Sequence, residues 1–102
     1  MKAIIFIKQD RYLKYRWFLH IDQIKQISTN EFYSAYNVTH IKTEDIFFII
    51  NDWDKDDFYQ RILDFIDDDK SYQEIKIKRV TEEDGQLEFS IEDWVSQAIG
   101  ES

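Results

Sequence analysis

The sequence predicts an α+β domain: a mainly antiparallel sheet of about five to six strands, one main helix over about 54–68 and a short C-terminal helix over about 91–99. Three observations carry this. In Glu44 to Asp69, a five-residue apolar run, Ile46 to Ile50, is followed by an acidic loop and then by Phe58, Ile62, Phe65 and Ile66 at helical spacing, so a strand hands over to a helix able to fold back onto a sheet. Several other stretches alternate apolar and polar residues with aromatic and β-branched side chains, which suits strands. The absence of proline leaves no sharp linker anywhere.

Lys2 to Lys8 contains Ile4, Ile5, Phe6 and Ile7 and reads as a core strand closed by Lys8, Gln9 and Asp10. Arg11 to Thr29 fits either period; the aromatics at Tyr15, Trp17 and Phe18 favour a strand over Tyr15 to Ile21, followed by a short helical turn capped by Asp22 and running through Gln26. Phe32 to Ile41 is a strand, hairpin-linked across Lys42 to Asp45 to the run Ile46 to Ile50, which is expected to be buried on both faces at the centre of the core. The main helix starts near Asp54, with Asp56 and Asp57 at its positive end. Glu74 to Val80 places Ile75, Ile77 and Arg79 on one face; Asp84-Gly85 is a turn, and Leu87, Phe89 and Ile91 alternate after it. Ser90 caps a last helix carrying Trp94, Val95, Ala98 and Ile99 on one stripe, ended by Gly100.

At 102 residues, a single domain over 1–102 is expected, hiding roughly two thirds of the surface its unfolded chain exposes. Hydrophobic residues make up 43% of the chain and aromatics 17%, enough for a packed core despite 33% charged residues. The absence of cysteine excludes disulfides, thiolate metal sites and cysteine nucleophiles, and fits a reducing, cytoplasmic setting. The apolar residues of MKAIIFIKQD are too few for an export signal, and no stretch is long enough to span a membrane.

The net charge of −8 is unevenly spread. Residues 52–69 hold eight Asp against Lys55 and Arg61, residues 82–93 hold six acids and no base, and the remainder is mildly basic. Asp67, Asp68 and Asp69 stand out, because acids at the carboxyl end of a helix face its negative pole and Asp64 repels Asp68 four residues on. A surface that must present carboxylates explains this, since closely spaced acids can occupy sites where a basic partner holds phosphates. The chain is therefore expected to be a non-enzymatic acidic protein that blocks a basic, nucleic-acid-handling protein by partial nucleic-acid mimicry, in the manner of a phage anti-defence inhibitor or a toxin-immunity protein. Its first contacts would be Asp54, Asp57, Asp64, Asp67, Asp68 and Asp69, with Trp53 as the apolar anchor, and Glu82, Glu83 and Asp84 second. A core role for Trp53 at the strand-to-helix corner is the alternative.

Lys8, Arg11, Tyr12, Lys14, Tyr15 and Arg16 form a basic-aromatic stretch that suits single-stranded nucleic acid, although a pI of about 4.6 opposes long-range attraction to a polyanion. A structural or assembly subunit pairing through an exposed sheet edge is a third reading. Asp52, Asp54 and Asp56 are spaced like the first ligands of a calcium loop, but Asp57 stands where glycine is needed and Leu63 where a bidentate glutamate is needed, so no metal is assigned. Glu74 and Lys76 have an E-x-K spacing known from metal-dependent nucleases without the expected hairpin between them and an upstream acid. His20 and His40 are isolated, no Ser stands in a nucleophile turn, and two glycines make no phosphate loop, so no cofactor is assigned.

Overall fold

The computed structural model describes residues 2–29 and 37–95. In chain order they form β1 (Ala3–Gln9), β2 (Lys14–His20), a 3-10 turn (Ile21–Gln23), β3 (Ile24–Thr29), β4 (Val38–Thr43), β5 (Phe47–Asn51), α1 (Lys55–Asp67), β6 (Tyr72–Glu83) and β7 (Gln86–Val95). The fold is α+β. All seven strands make one mixed, mostly antiparallel sheet in the order β2-β1-β6-β7-β5-β4-β3, with β1 parallel to β6 and β5 parallel to β7.

The sheet is rolled. Trp17 on β2 and Phe89 on β7 are three strands apart in that order, roughly 14 Å in a flat sheet, yet their ring centroids lie 5.5 Å apart. Phe6 on β1 meets Phe48 on β5 at 6.1 Å and Phe89 at 4.4 Å, so these rings line the inside of the roll. β2 and β3 are its two edges, and only Ile21–Gln23 separates them in the chain. Helix α1 lies across the concave side, burying Phe58, Ile62 and Phe65, with Phe58 edge-on to Trp94 at 5.1 Å. Phe6, Phe58 and Phe89 are the largest fully buried side chains, each contributing about 1.5–3 kcal/mol.

Several sequence expectations are corrected. The helix over 91–99 is not formed in its described part: Ile91 to Val95 continue β7, and residues 96–99 lie outside the described residues. Ile91 pairs with Ile77 and Trp94 with Ile75, so both face the core although three residues apart, because the ladder skips Glu92 in a bulge. A helical spacing is thus made by a strand. The same irregularity at Lys78 turns Arg79 away from the face of Ile75 and Ile77 and brings Val80 into its place. The turn expected from Asp22 through Gln26 shrinks to Ile21–Gln23, with His20 at its start making no side-chain cap; Ile24 and Ile27 then reach inward along β3, whose ladder skips Lys25. The one added strand, β3, brings the total among the described residues to seven rather than five or six.

The strand expected over Phe32 to Ile41 is seen as Val38–Thr43, residues 32–36 lying outside the described residues. Its hairpin to β5 is present, closed at Thr43, whose Oγ1 accepts from the Ile46 amide at 3.0 Å and donates to the Ile46 carbonyl at 2.9 Å. β5 itself is buried on one face only: Phe48 and Ile50 point inward, while Phe47 and Ile49 are half-buried on the outside. The centre of the sheet is β7.

Candidate functional site

Helix α1 begins where the chain leaves β5 and Asp54 accepts a hydrogen bond from the Asp57 amide at 2.9 Å, satisfying one of the free donors of the first turn. With Phe58, Ile62 and Phe65 facing the sheet, the 100° step per residue puts Asp56, Asp57, Gln60, Asp64 and Asp67 on the opposite side. All five are exposed. From Asp56 to Asp67 this stripe is roughly 16 Å long at 1.5 Å per residue, and Asp69 is exposed just past the end of the helix. Asp56 was absent from the expected contacts although the helical wheel places it on the same face; it is the most exposed acid among the ion pairs, at 82%.

The acids of this segment are not equivalent. Asp57 accepts from Trp53 Nε1 at 2.6 Å and from Arg61 Nε at 3.0 Å, which together hold its carboxyl below the usual range. Asp68 is pushed up by partial burial, but hydrogen bonds from Lys2 at 3.0 Å and from the Lys70 amide at 2.8 Å outweigh this, and its carboxyl is also lowered. Asp56 has Lys55 at 3.5 Å and Asp64 accepts from Gln60 at 3.0 Å. Asp67 and Asp69 have no ion-pair or side-chain hydrogen-bond partner among the described residues. The helix continues to Asp67, so Asp64 and Asp67 sit in its last turn, which holds no base. Trp53 is half-buried against the core, its indole fixed by Asp57 and with the Arg61 guanidinium 5.6 Å from its ring.

The second acidic stretch lies elsewhere. Glu82, Glu83 and Asp84 are at the tip of the β6–β7 hairpin, where Gly85 takes a φ of 74°. Asp67 to Asp69 precede the other end of β6, and Tyr72 to Glu83 span roughly 36 Å at about 3.3 Å per residue, close to the 40 Å longest dimension of the molecule. The two stretches do not merge. The tip is joined instead by the β4–β5 turn, since the Phe47 amide donates to the Gly85 carbonyl at 2.9 Å, which brings Glu44 and Asp45 alongside.

The basic-aromatic residues are divided between the two faces of the sheet. Lys8 pairs across from Tyr15, two residues beyond Phe6 and Trp17, which places both on the inward side; Lys14 and Arg16 take the outward side. Lys8 is held by Asp10 at 3.0 Å, Tyr15 stacks on Trp17, and Arg11 and Tyr12 project from the hairpin turn, Tyr12 being 83% exposed.

Among the described residues, no group of three or more His, Asp or Glu side chains converges on a metal position. Asp52, Asp54 and Asp56 turn to Lys78, to the helix start and to Lys55 respectively. Glu74 stands four residues from Lys78 on β6, roughly 13 Å along the strand, so Asp52 beside Lys78 does not join the E-x-K pair. His20 and His40 lie against Phe18 and Phe47. No helix among the described residues is long and apolar enough to cross a membrane. No protein-family model, curated protein or solved structure matches the chain.

Proposed function

We propose that the protein is a non-enzymatic acidic binding protein that uses the outer face of α1 to occupy a basic, nucleic-acid-handling surface on another macromolecule. The observation that carries this is the run of exposed carboxylates ending in the last helical turn, which holds no base of its own and where Asp64 and Asp67 oppose the helix dipole and each other. Local stability disfavours that arrangement, and a partner of opposite charge gives it a use. The mechanism is steric and electrostatic exclusion: the carboxylates take positions that phosphates take in the partner's own ligand. Asp64, Asp67 and Asp69 lead, with Asp56 at the other end of the helix. Asp54, Asp57 and Asp68 support the helix by their internal bonds, and Trp53 backs the same face from the core side. The hairpin acids Glu82, Glu83 and Asp84 lie too far away to share one compact footprint. Nucleic-acid binding by Lys8 to Arg16 is the weaker reading, because those side chains are split between two faces.

The test is affinity capture from source-cell lysate with elution in a salt gradient, comparing the natural chain with an Asp64→Asn, Asp67→Asn, Asp69→Asn variant. A basic protein released at moderate salt, bound more slowly and with a flatter salt dependence by the variant, supports the proposal. Equal binding by the variant, or retention of nucleic acid alone, defeats it.

A further inference from the structure

The β1–β6 ladder covers only Ala3–Ile7 against Tyr72–Lys76, after which β6 runs on through Glu83 with β7 as its sole strand neighbour among the described residues. Among the described residues one edge of β6 is therefore open beyond Lys76, and Lys78, Arg79, Thr81, Glu82 and Glu83 are exposed along it. Where β1 and β6 part there is a cleft of about 370 Å³ lined by four lysines, Lys8, Lys14, Lys76 and Lys78, with Glu74 and Glu92. A strand edge with free backbone groups is a template for another strand. Charge indicates which strand fits: the open edge reads basic at Lys78 and Arg79 and acidic at Glu82, Glu83 and Asp84.

We propose that this edge pairs with the same edge of a second copy, antiparallel about a two-fold axis. Residues directly opposite in an antiparallel pair share a face, so a strand meeting itself must pair residues whose numbers sum to an even value. Arg79, Thr81 and Glu83 share the outer face of β6. Centring the axis on Thr81 sets Arg79 opposite Glu83 of the second copy, Thr81 opposite Thr81, and brings the second copy's Asp84 beside Lys78. The acidic hairpin tip of each copy then enters the lysine-lined cleft of the other. Such an isologous contact closes on itself and leaves the outer face of α1 free. It is independent of the function proposed above.

The experiment is sedimentation velocity on the full chain up to about 1 mM, the range in which weak pairing is visible. A dimer is expected, weakened roughly tenfold or more by Arg79→Glu or by Glu83→Arg, each of which puts like charges opposite one another. Mixing those two variants restores dimers, because each supplies the charge the other lacks. The natural chain has no cysteine, so Thr81→Cys should form a disulfide-linked dimer on mild oxidation, and Gln60→Cys on α1 should not. A monomer at every concentration overturns the proposal. So does a dimer that neither charge variant weakens, or one that Thr81→Cys fails to trap. The Asp64, Asp67 and Asp69 substitutions leave the dimer unchanged, which separates this result from the partner-binding test.

Discussion

Lys2 Nζ lies 3.0 Å from Asp68 Oδ1 and, from the same position, donates to the carbonyl oxygens of Phe65, Asp68 and Lys70 at 2.7, 2.5 and 2.9 Å. One ammonium group at the start of β1 thus serves the carboxyl end of α1, where the last carbonyls lack partners within the helix and no base is present in the last turn. Its position 4.7 Å from the Phe65 ring centroid adds a contact with the helix's last buried aromatic. Lys2→Met keeps much of the side-chain volume and removes the charge. It should lower unfolding free energy by about 1–3 kcal/mol with an unchanged denaturant slope. A loss within error of zero would mean that water replaces the ammonium at no cost.

The internal bonds of Asp57 and Asp68 make stability fall in acid. Both carboxyls are lowered in the folded chain, Asp57 chiefly by Trp53 Nε1 and Asp68 by Lys2 against the opposing effect of burial. A depressed folded pKa means that the unfolded chain binds more protons, so stability rises with pH through this window. The contribution is complete above the unfolded value of about 3.9 and is lost as pH falls through the folded values. Urea midpoints measured from about pH 6 down to pH 2 should drop more steeply for the natural chain than for Asp57→Asn, Asp68→Asn. Parallel curves would remove these two carboxyls from the account of acid unfolding.

The acidic face of α1 should give the opposite result when neutralised. Asp64→Asn with Asp67→Asn takes two negative charges away from the negative end of the helix, each unfavourable by about 0.3–1 kcal/mol at low salt. The pair should raise stability by up to about 2 kcal/mol, with the gain shrinking as salt is added. A more stable chain that binds its partner more slowly is the signature of residues kept for contact rather than for folding. Unchanged or reduced stability would remove that argument for the interface.

The helix was legible in the sequence because its signals agree: Asp54 before the first turn, then Phe58, Ile62 and Phe65 at helical spacing. The β6–β7 hairpin was equally plain from Asp84-Gly85 between alternating runs. What the sequence does not show is where the strands bulge. Ile24 and Ile27, Ile77 and Val80, and Ile91 and Trp94 all face the core because the ladders skip Lys25, Lys78 and Glu92. A bulge inserts one residue into a period of two and imitates part of a helical turn. Only pairing with a neighbouring strand distinguishes the two, and sequence periodicity does not contain it. For the candidate site, the carboxylates were visible but their division of labour was not, since Lys2 reaches Asp68 across 66 residues.

Asp52 shows how the chain turns from sheet to helix. It has a φ of 70°, the one described non-glycine residue in the left-handed region, between the end of β5 at Asn51 and the helix-capping Asp54. Asp tolerates this conformation better than most residues, whereas a side chain branched at Cβ clashes with the backbone there. Its contact with Lys78, at 3.9 Å between half-exposed side chains, contributes little. Asp52→Gly should therefore be neutral or stabilising by up to about 1 kcal/mol, and Asp52→Val should be less stable than the glycine variant by about 1–2 kcal/mol. Equilibrium denaturation of the two variants side by side cancels the shared loss of the carboxylate and isolates the backbone. Equal stability of the two would place residue 52 in ordinary extended or helical backbone, and the corner between β5 and α1 would have to be made elsewhere.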